Sequence, residues 1–148
     1  MSSDLRLDVF VSPYKPIVAD VPAMSPGTPT FPASSISLVS GERDAVLIDA
    51  LITLNEAGQA AEWIRSEAKR LTTIYMTHGH GDHIFGLNTL LATFPGARAV
   101  TRADVFPSVQ GQFTPEFLAR WRSYFPNQIT ENPIMPEPLV LYSECPDA

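Results

Sequence analysis

The sequence predicts an α/β fold, in which helices cover a sheet that contains parallel strands. Strand-like and helix-like segments alternate through the middle of the chain, and this order favours crossover connections between parallel strands. The composition agrees with a folded domain. The chain has 148 residues, of which 45% are hydrophobic and 18% charged, as expected for a single globular domain over residues 1–148.

The first part of the chain is predicted to hold three strands and a long loop. Residues 5–11 alternate apolar and polar side chains, as a half-buried strand does. Six prolines between positions 13 and 32 exclude a regular helix or a central strand there. Residues 34–39 and 45–48 form a predicted hairpin around a polar turn. The second of these strands is apolar throughout, which predicts burial on both faces.

A capped helix is predicted next. Thr53 and Glu56 have the spacing of a capping box, in which each side chain accepts from the other residue's backbone N–H. Apolar residues at helical spacing extend this helix to about Arg70. A strand over 72–77, a helix over about 84–94 and a strand over 97–101 follow.

The last third of the chain is predicted to hold one more helix and one more strand. The helix begins at Thr114-Pro115-Glu116, because proline is favoured at the first helical position. Its aromatic and aliphatic stripe indicates packing rather than a cofactor site. The final strand is predicted over residues 139–142.

All three histidines of the chain lie within six residues, in the sequence His78-Gly79-His80-Gly81-Asp82-His83. Imidazole and carboxylate groups are common ligands of zinc and iron, so this density indicates a metal site. The two glycines predict positive φ angles, which would let neighbouring side chains converge. A strand precedes the cluster and a helix follows it, which places the ligands at the carboxyl edge of the sheet.

This cluster resembles the His-x-His-x-Asp-His motif of the metallo-β-lactamase superfamily at every ligand position. The upstream Val46-Leu47-Ile48-Asp49 is similar to the family's apolar strand ending in aspartate, with Ala50-Leu51 in place of Thr-Gly. The resemblance covers roughly residues 34–101. It implies an αββα sandwich, of which this chain would supply mainly the first β-sheet and its helices, so that the domain would be incomplete.

The resemblance also implies a role for each matching residue. His78 and His80 would bind one metal ion, and Asp82 and His83 a second one. Asp82 would also be catalytic, as a proton acceptor or by holding the nucleophile, and Asp49 would orient the ligand loop. The cofactor would be one or two zinc ions, with iron or manganese as alternatives, and would activate a water molecule.

The family's ligand set is incomplete in this sequence, because the family takes further histidines and an aspartate from later in the chain and no histidine follows His83. The residues considered as replacements are Asp104, Glu131, Glu137, Glu144 and Cys145, and no pattern singles one out. Half of a sandwich would also expose an apolar sheet face, which predicts a dimer or a partner chain that covers it.

Three functions stay open at this point. The first is a metal-dependent hydrolase of a small-molecule ester, thioester, lactone or phosphoester. The second is a catalytically silent metal-binding fragment or interaction module, and the third is redox chemistry at iron on the same scaffold. A net charge of −6 argues against nucleic-acid partners, and no apolar run is long enough for a membrane span. One cysteine and the absence of a signal-like N-terminus predict a cytoplasmic protein.

Overall fold

The computed structural model describes residues 4–19 and 27–139, in which one six-stranded sheet is the main feature. The strands are β1 (Arg6–Val11), β2 (Lys15–Pro16), β3 (Thr30–Phe31), β4 (Ser35–Ser40), β5 (Asp44–Ile48), β6 (Arg70–Met76), β7 (Arg98–Arg102) and β8 (Glu137–Leu139). The helices are α1 (Leu54–Ser66), α2 (Gly81–Ile84), α3 (Leu87–Thr93), α4 (Phe106–Gln112) and α5 (Pro115–Tyr124).

The strand order in the large sheet is β1-β4-β5-β6-β7-β8. The pairs β1–β4 and β4–β5 are antiparallel, and every later pair is parallel. Helix α1 lies in the crossover between β5 and β6, and α3 lies in the crossover between β6 and β7. The predicted α/β class, the hairpin of β4 and β5 and the parallel crossovers are therefore confirmed. The proline-rich segment contributes β2 and β3, which form a separate two-stranded ribbon.

The hydrophobic core lies between one face of the sheet and helices α1 and α3. Leu38, Leu47 and Ile74 point into it from three neighbouring strands, and each is fully buried. Ala60 and Ile64 of α1 belong to the same cluster, because the apolar stripe of this helix has the 3.6-residue period that keeps one face against the sheet.

The opposite face of the sheet is partly exposed. Leu7, Val9 and Val11 of β1 point to this side, with 54–63% of each residue accessible to solvent. The cross-strand pairing continues the surface through four half-buried residues, Val39, Val46, Ile48 and Tyr75. We call these seven residues the open face. The prediction that residues 45–48 are buried on both faces is wrong, because α1 covers only one of them.

Helix α1 begins as predicted and ends earlier. The capping box of Thr53 and Glu56 is present, with both reciprocal hydrogen bonds. The helix stops at Ser66 rather than near Arg70, and Ala68 takes the left-handed φ of 54° two residues later. Arg70 instead begins β6, where it pairs with Asp44 of β5. Sheet pairing thus overrides the local helical pattern.

The helix predicted over 84–94 is in fact two helices, α2 and α3, that meet at Gly86. The backbone N–H of Gly86 donates to the carbonyl of Leu51 at 3.1 Å. A Cβ atom at this position would collide with the carbonyl oxygen of Ala50. The chain that leaves β5 therefore rests directly on the helix junction, which explains the break.

The C-terminal part shows one helix that the sequence reading missed and one that it predicted. Helix α4 was not predicted, whereas α5 begins after Thr114 with proline at its first position, as expected. Strand β8 ends the described chain at Leu139, so the rest of the strand predicted over 139–142 lies outside the described residues. Within residues 4–19 and 27–139, no helix has the length and apolarity needed to cross a bilayer.

Candidate metal centre

The candidate site lies where two parallel strands end side by side. Ile48 pairs with Tyr75, so β5 and β6 run out together at the carboxyl edge of the sheet. Asp49 follows the first strand, and Thr77 and the histidine loop follow the second. The backbone N–H of Asp49 donates to the carbonyl of Tyr75 at 2.9 Å, which fixes the two chain ends to each other.

Asp49 is the centre of a hydrogen-bond network that reaches two of the three histidines. Its Oδ1 accepts from the backbone N–H of Thr77 at 2.8 Å, and both of its oxygens lie 2.9 Å from Thr77 Oγ1. Its Oδ2 lies 2.8 Å from Nδ1 of His83. Thr77 Oγ1 in turn lies 2.8 Å from Nδ1 of His78. The aspartate therefore contacts His83 directly and His78 through Thr77.

This hydrogen-bond network determines which ring nitrogen of each histidine is free to bind a metal ion. If the Thr77 hydroxyl donates to Asp49, its oxygen is free to accept from Nδ1–H of His78. The carboxylate of Asp49 likewise accepts from Nδ1–H of His83. Both arrangements leave Nε2 as the metal-binding nitrogen in a neutral imidazole. Asp49 thus contacts the loop at Thr77 and His83, the residues through which the family resemblance implies that it would orient the loop.

The second ring nitrogen of His83, which faces away from Asp49, forms a close pair with Asp82. Nε2 of His83 lies 3.2 Å from Oδ2 of Asp82. Burial disfavours the charged ring, but hydrogen bonds to Asp49 and Asp82 outweigh it and raise the pKa of His83 to about 9. Burial also acts to raise the pKa of Asp82, yet the hydrogen bond and the positive charge of His83 prevail and lower it. In the metal-free protein the charged imidazole of His83 therefore donates one N–H to each of the two carboxylates.

Donor atoms of three residues converge at this edge of the sheet. One atom each of Asp49, His78 and His83 lies within 4.8 Å of the others, and neither His80 nor Asp82 belongs to this group. The ring centroid of His78 lies 4.0 Å from that of His83 and 4.7 Å from that of His80. Burial and the neighbouring histidines lower the pKa of His78, which favours the neutral imidazole that binds metals.

The His83–Asp82 separation also fits a metal ion. Tetrahedral zinc with bonds of about 2.1 Å separates adjacent donor atoms by roughly 3.4 Å. The 3.2 Å between Nε2 of His83 and Oδ2 of Asp82 is close to that edge length. His80 is exposed, beside His78 in the loop. Of the four residues predicted from the motif, His78 and His83 have converging donor atoms and Asp82 contacts His83, and nitrogen and oxygen donors of this kind suit zinc or iron.

The two glycines of the loop serve close packing, and the prediction that they take positive φ angles is wrong. Among the described glycines only Gly27 has a positive φ. A Cβ at Gly79 would collide with the backbone of Ser108 in α4. One at Gly81 would come within 2.7 Å of the rings of Phe85 and Trp121. The missing side chains let helices α4 and α5 press against the ligand loop.

An aromatic wall supports this contact. The rings of Phe85 and Trp121 meet edge to face, with centroids 6.2 Å apart, and Phe113 lies 5.9 Å from Phe85. The indole N–H of Trp121 donates to Gln112 at 3.0 Å, so that its one polar atom is satisfied. Two of these rings, Phe85 and Trp121, pack against the loop at Gly81. The sequence reading placed Trp121 only in a packing stripe.

The departure from the family pattern at Ala50-Leu51 has a structural consequence. Leu51 occupies the position of the family's glycine, and its φ is 64°. A left-handed conformation costs a residue with a Cβ about 1–2 kcal/mol. The Leu51 side chain is fully buried in the core, which offsets that cost.

The other candidate ligands are not brought into this cluster. Among the described residues, the group whose donor atoms converge contains neither Asp104, Glu131 nor Glu137. Asp104 pairs with Arg102 at 2.7 Å, and Glu137 pairs with Arg98 across the strands β7 and β8. Glu144 and Cys145 lie outside the described residues.

A cavity of about 330 Å³ lies elsewhere in the molecule. It is formed by the proline-rich segment, the start of α1 and the chain after α5, and Lys15, Glu56 and Tyr124 are among its lining residues. None of residues 78–83, which form the histidine loop, lines this cavity.

Comparison with known proteins gives the family. The model of the metallo-β-lactamase superfamily matches residues 29–139, which is well over half of the chain. The chain belongs to the metallo-β-lactamase superfamily. The region resembling this family is thus longer than the 34–101 expected from the motif, and it includes α4, α5 and the aromatic wall.

Individual members of the superfamily match shorter stretches. Ribonuclease Z of Nostoc punctiforme is 49% identical over 51 residues, covering 33% of this chain and 16% of that protein. Hydroxyacylglutathione hydrolase of Francisella tularensis subsp. novicida is 38% identical over 71 residues, covering 47% and 27%. The chain therefore matches less than a third of the length of these curated relatives.

Solved structures support the same fold. The metallo-β-lactamase FIM-1 from Pseudomonas aeruginosa, in its mono-zinc form, superposes with a TM-score of 0.51. The identity is 18%, and the match covers 75% of this chain and 44% of that one. At that identity the likeness concerns the fold alone.

Sequence reasoning missed Thr77 as a part of the site. Its hydroxyl is the link between Asp49 and His78, and its backbone N–H anchors the start of the loop. The available signal was its place, directly before the first histidine and at the end of a strand. A hydroxyl next to a metal-binding imidazole is well placed to fix the ring.

Proposed function

We propose that this chain is a metal-dependent hydrolase that binds zinc through His78, His80, Asp82 and His83. The observation that carries the proposal is the chain of contacts from Asp49 through His83 to Asp82. In it, Nδ1 of His83 is held by one carboxylate, and Nε2 lies 3.2 Å from the second. In the proposed site that nitrogen and that oxygen would bind the same cation, in place of the hydrogen bond that they form in the metal-free protein.

Asp49 and Thr77 act as positioning residues in this proposal. They hold the imidazoles of His78 and His83 through Nδ1, so that both rings turn Nε2 toward the ligand side. Fixing the rings in advance lowers the entropic cost of assembling the site and raises the basicity of the ligand nitrogen. Removal of such partners in other metal sites costs about 10–100-fold in affinity.

Asp82 is the proposed catalytic residue. In the zinc-loaded chain its carboxylate would hold a water molecule by hydrogen bonding or accept a proton from it. A zinc ion at this site would supply a bound water of near-neutral pKa and would polarise the substrate's carbonyl or phosphoryl oxygen. The exposed face of His80 leaves the loop accessible to a substrate.

The proposed substrate is a small molecule with an ester, thioester, lactone or phosphoester bond. Two of the relatives are named ribonuclease Z and hydroxyacylglutathione hydrolase, and both names denote hydrolases. The net charge of −6 weighs against a nucleic-acid substrate. The single cysteine supports action in the reducing cytoplasm.

The first test is metal binding by the purified chain, measured by mass spectrometry and by zinc titration against a chelating dye. We expect one or two equivalents of zinc. His83→Ala should abolish tight binding, and Thr77→Val should weaken it by about tenfold or more. Thr89→Val is the matched control, because Thr89 lies in α3, away from the loop, and should bind zinc as the parent does. Equal binding by all three variants would contradict the proposed ligands.

The second test is hydrolysis of a panel of carboxylic ester, thioester, lactone and phosphodiester substrates by the zinc-loaded chain. We expect turnover of at least one class, and a fall of about 100-fold or more with Asp82→Asn. Asp104→Asn is the matched control, because Asp104 pairs with Arg102 on the surface. A fully zinc-loaded chain with no activity on any class would overturn the hydrolase proposal.

One observation favours a second function, a catalytically silent metal-binding module. Among the described residues, the group of converging donor atoms contains neither His80 nor Asp82, so two of the four proposed ligands do not converge with the others. Metal binding without hydrolysis is the result that this alternative predicts. Iron rather than zinc in the chain as purified from cells would favour the redox alternative instead.

A further inference from the structure

The cavity of about 330 Å³ is a candidate binding site that the histidine loop does not explain. Its walls are residues 13–18, which we call the strap, residues 53–59 at the start of α1, and residues 124–128 at the end of α5. Small-molecule sites usually have volumes of roughly 300–1,000 Å³. At about 30 Å³ for each water molecule, this cavity corresponds to a ligand of about ten non-hydrogen atoms.

The three walls hold one another in place, so the cavity is formed before any ligand binds. Each pair of walls is joined by a hydrogen bond, with donor–acceptor distances of 2.6, 3.1 and 2.8 Å. The bonds run from Lys15 to Glu56, from Val18 to Tyr124 and from Leu54 to Gln128. A preformed site loses little entropy when it binds a ligand, which favours affinity.

The charges in the walls neutralise each other. Of the described residues that line the cavity, Lys15 and Glu56 are the charged ones, and they form a buried ion pair. The second oxygen of Glu56 accepts from the backbone N–H and the hydroxyl of Thr53. An ionic ligand would lose its hydration here without gaining a partner of opposite charge, which is costly. The cavity therefore favours a neutral ligand.

The start of α1 offers no binding site for an anion either. The first backbone N–H groups of a helix attract anions only when they lack partners. Here the N–H of Leu54 donates to the carbonyl of Gln128, and that of Asn55 donates to Oε1 of the same residue. The N–H of Glu56 donates to Oγ1 of Thr53. All three donors are engaged within the chain, which again disfavours a carboxylate or a phosphate.

Amide groups and apolar side chains make up the rest of the lining. Because Oε1 of Gln128 is held by α1, its NH₂ group supplies two donors. The side-chain amide of Gln59 is exposed at the rim and can donate or accept. The half-buried ring of Tyr124 and the apolar side chains of Pro13 and Val18 offer a surface for a ring to pack on.

We propose that this cavity binds a neutral, planar molecule in which an aromatic ring carries a carboxamide. The ring packs against Tyr124 and the strap. The carbonyl oxygen of the ligand accepts from the NH₂ group of Gln128, and its amide N–H donates to the side-chain oxygen of Gln59. This proposal does not depend on metal binding or on hydrolysis, because none of residues 78–83 lines the cavity.

The test is a titration of the full ¹⁵N-labelled chain with benzamide, followed by nuclear magnetic resonance. We expect saturable binding with a Kd of about 1 mM or tighter, as befits a ligand of this size. The side-chain amide signals of Gln59 and Gln128 should shift. Benzoate and benzylammonium carry the same ring with a negative or a positive charge, and each should bind at least about tenfold more weakly.

Two substitutions fill the cavity from different walls. Gln59→Trp acts from α1 and Val18→Trp from the strap, and both positions are exposed, so circular dichroism should show a folded chain. Each should weaken benzamide binding by about tenfold or more. Gln110→Trp is the matched control, because Gln110 is an exposed helical glutamine in α4 that does not line the cavity. It should bind benzamide as the parent does.

Several results would overturn the proposal. No saturable binding to the parent chain at about 10 mM benzamide would do so, as would benzoate or benzylammonium binding as tightly as benzamide. Signal shifts confined to residues outside the three walls would place the ligand elsewhere, and so would parent-like affinity in both cavity-filling variants. If one of these variants fails to fold, the other decides.

Discussion

At the scale of single residues, the histidine loop of residues 78–83 is held by a carboxylate that does not bind the metal in our proposal. Asp49 follows β5 with a positive φ of 67°, a conformation that aspartate tolerates better than most residues. From there its two oxygens reach Thr77 and His83 at 2.8–2.9 Å. Two imidazoles are thus oriented by one side chain, and both are presented through the same nitrogen.

The raised pKa of His83 predicts how the stability of the metal-free protein depends on pH. Its pKa of about 9 in the folded state exceeds the unfolded value near 6.5, so the folded state binds the proton more tightly. This contribution is fully present below pH 6.5 and is lost as the pH rises through 9. We expect the free energy of unfolding to fall by up to about 3 kcal/mol over that window.

Urea denaturation of the chelator-treated chain at several pH values measures this effect. His83→Gln removes the titrating group, so its stability should vary much less between pH 6.5 and 9. Parallel curves for the parent and the variant would show that the Asp49–His83–Asp82 contacts contribute no pH-dependent stability.

At the scale of elements, helix ends and helix junctions are set by backbone conformation and close approach. Ala68 lies just past the end of α1 with a φ of 54°, in the place where glycine is favoured. Ala68→Gly should therefore stabilise the protein by about 1 kcal/mol, contrary to the usual effect of glycine. Ala119→Gly is the matched control in exposed helix α5 and should destabilise by about 1 kcal/mol. Thermal unfolding measures both effects, and this account would be refuted if the two substitutions changed the stability in the same direction.

The junction of α2 and α3 predicts the opposite response to an added methyl group. Gly86→Ala should destabilise by about 3 kcal/mol or more, because its Cβ would collide with the carbonyl of Ala50. It should also weaken zinc binding, since the displaced segment carries Asp49. Gly58→Ala in α1 meets no atom within 4 Å and should raise stability by about 0.5–1 kcal/mol. Chemical denaturation and zinc titration of both variants check this, and a neutral Gly86→Ala would refute the close approach.

At the scale of the whole molecule, a buried ion pair ties the proline-rich segment to the sheet and helix layer. Nζ of Lys15 lies 2.6 Å from Oε1 of Glu56, and both side chains are almost fully buried. The same ammonium group lies 3.2–3.4 Å from the hydroxyl of Ser12 and the carbonyl oxygens of Pro13 and Pro32, which share its remaining two N–H bonds. Glu56 simultaneously completes the capping box of α1, so one residue serves two elements.

Breaking this pair from one side should be costly. Lys15→Met leaves the Glu56 carboxylate buried without its partner and should destabilise by about 3–5 kcal/mol. Adding Glu56→Gln removes the charge but keeps the cap, and should recover at least about 1 kcal/mol. Lys69→Met, at a surface lysine that contacts only the carbonyl of Glu42, is the control and should change stability by less than about 0.5 kcal/mol. Failure of the second change to rescue the first would mean that the packing of the lysine stem dominates.

The sequence by itself determined the class of the protein and the composition of its site. Three histidines and one aspartate on a six-residue segment are a local pattern, and the capping box and the strand alternation are local as well. Local patterns are readable because they depend on side chains a few positions apart. The predicted α/β order and the family both follow from such patterns.

Only the tertiary structure decided where these patterns stop and what they touch. The break at Gly86, the early end of α1 and the role of Thr77 all depend on atoms far away in sequence, such as Ala50 beside Gly86. The same holds for the glycines of the loop, whose need for glycine comes from α4 and α5 and not from their own φ angles. The alternation in β1 indicated a half-buried strand, but which face is left open depended on where α1 packs. Contacts between distant segments carry no local periodicity, so they become visible only when the chain has folded.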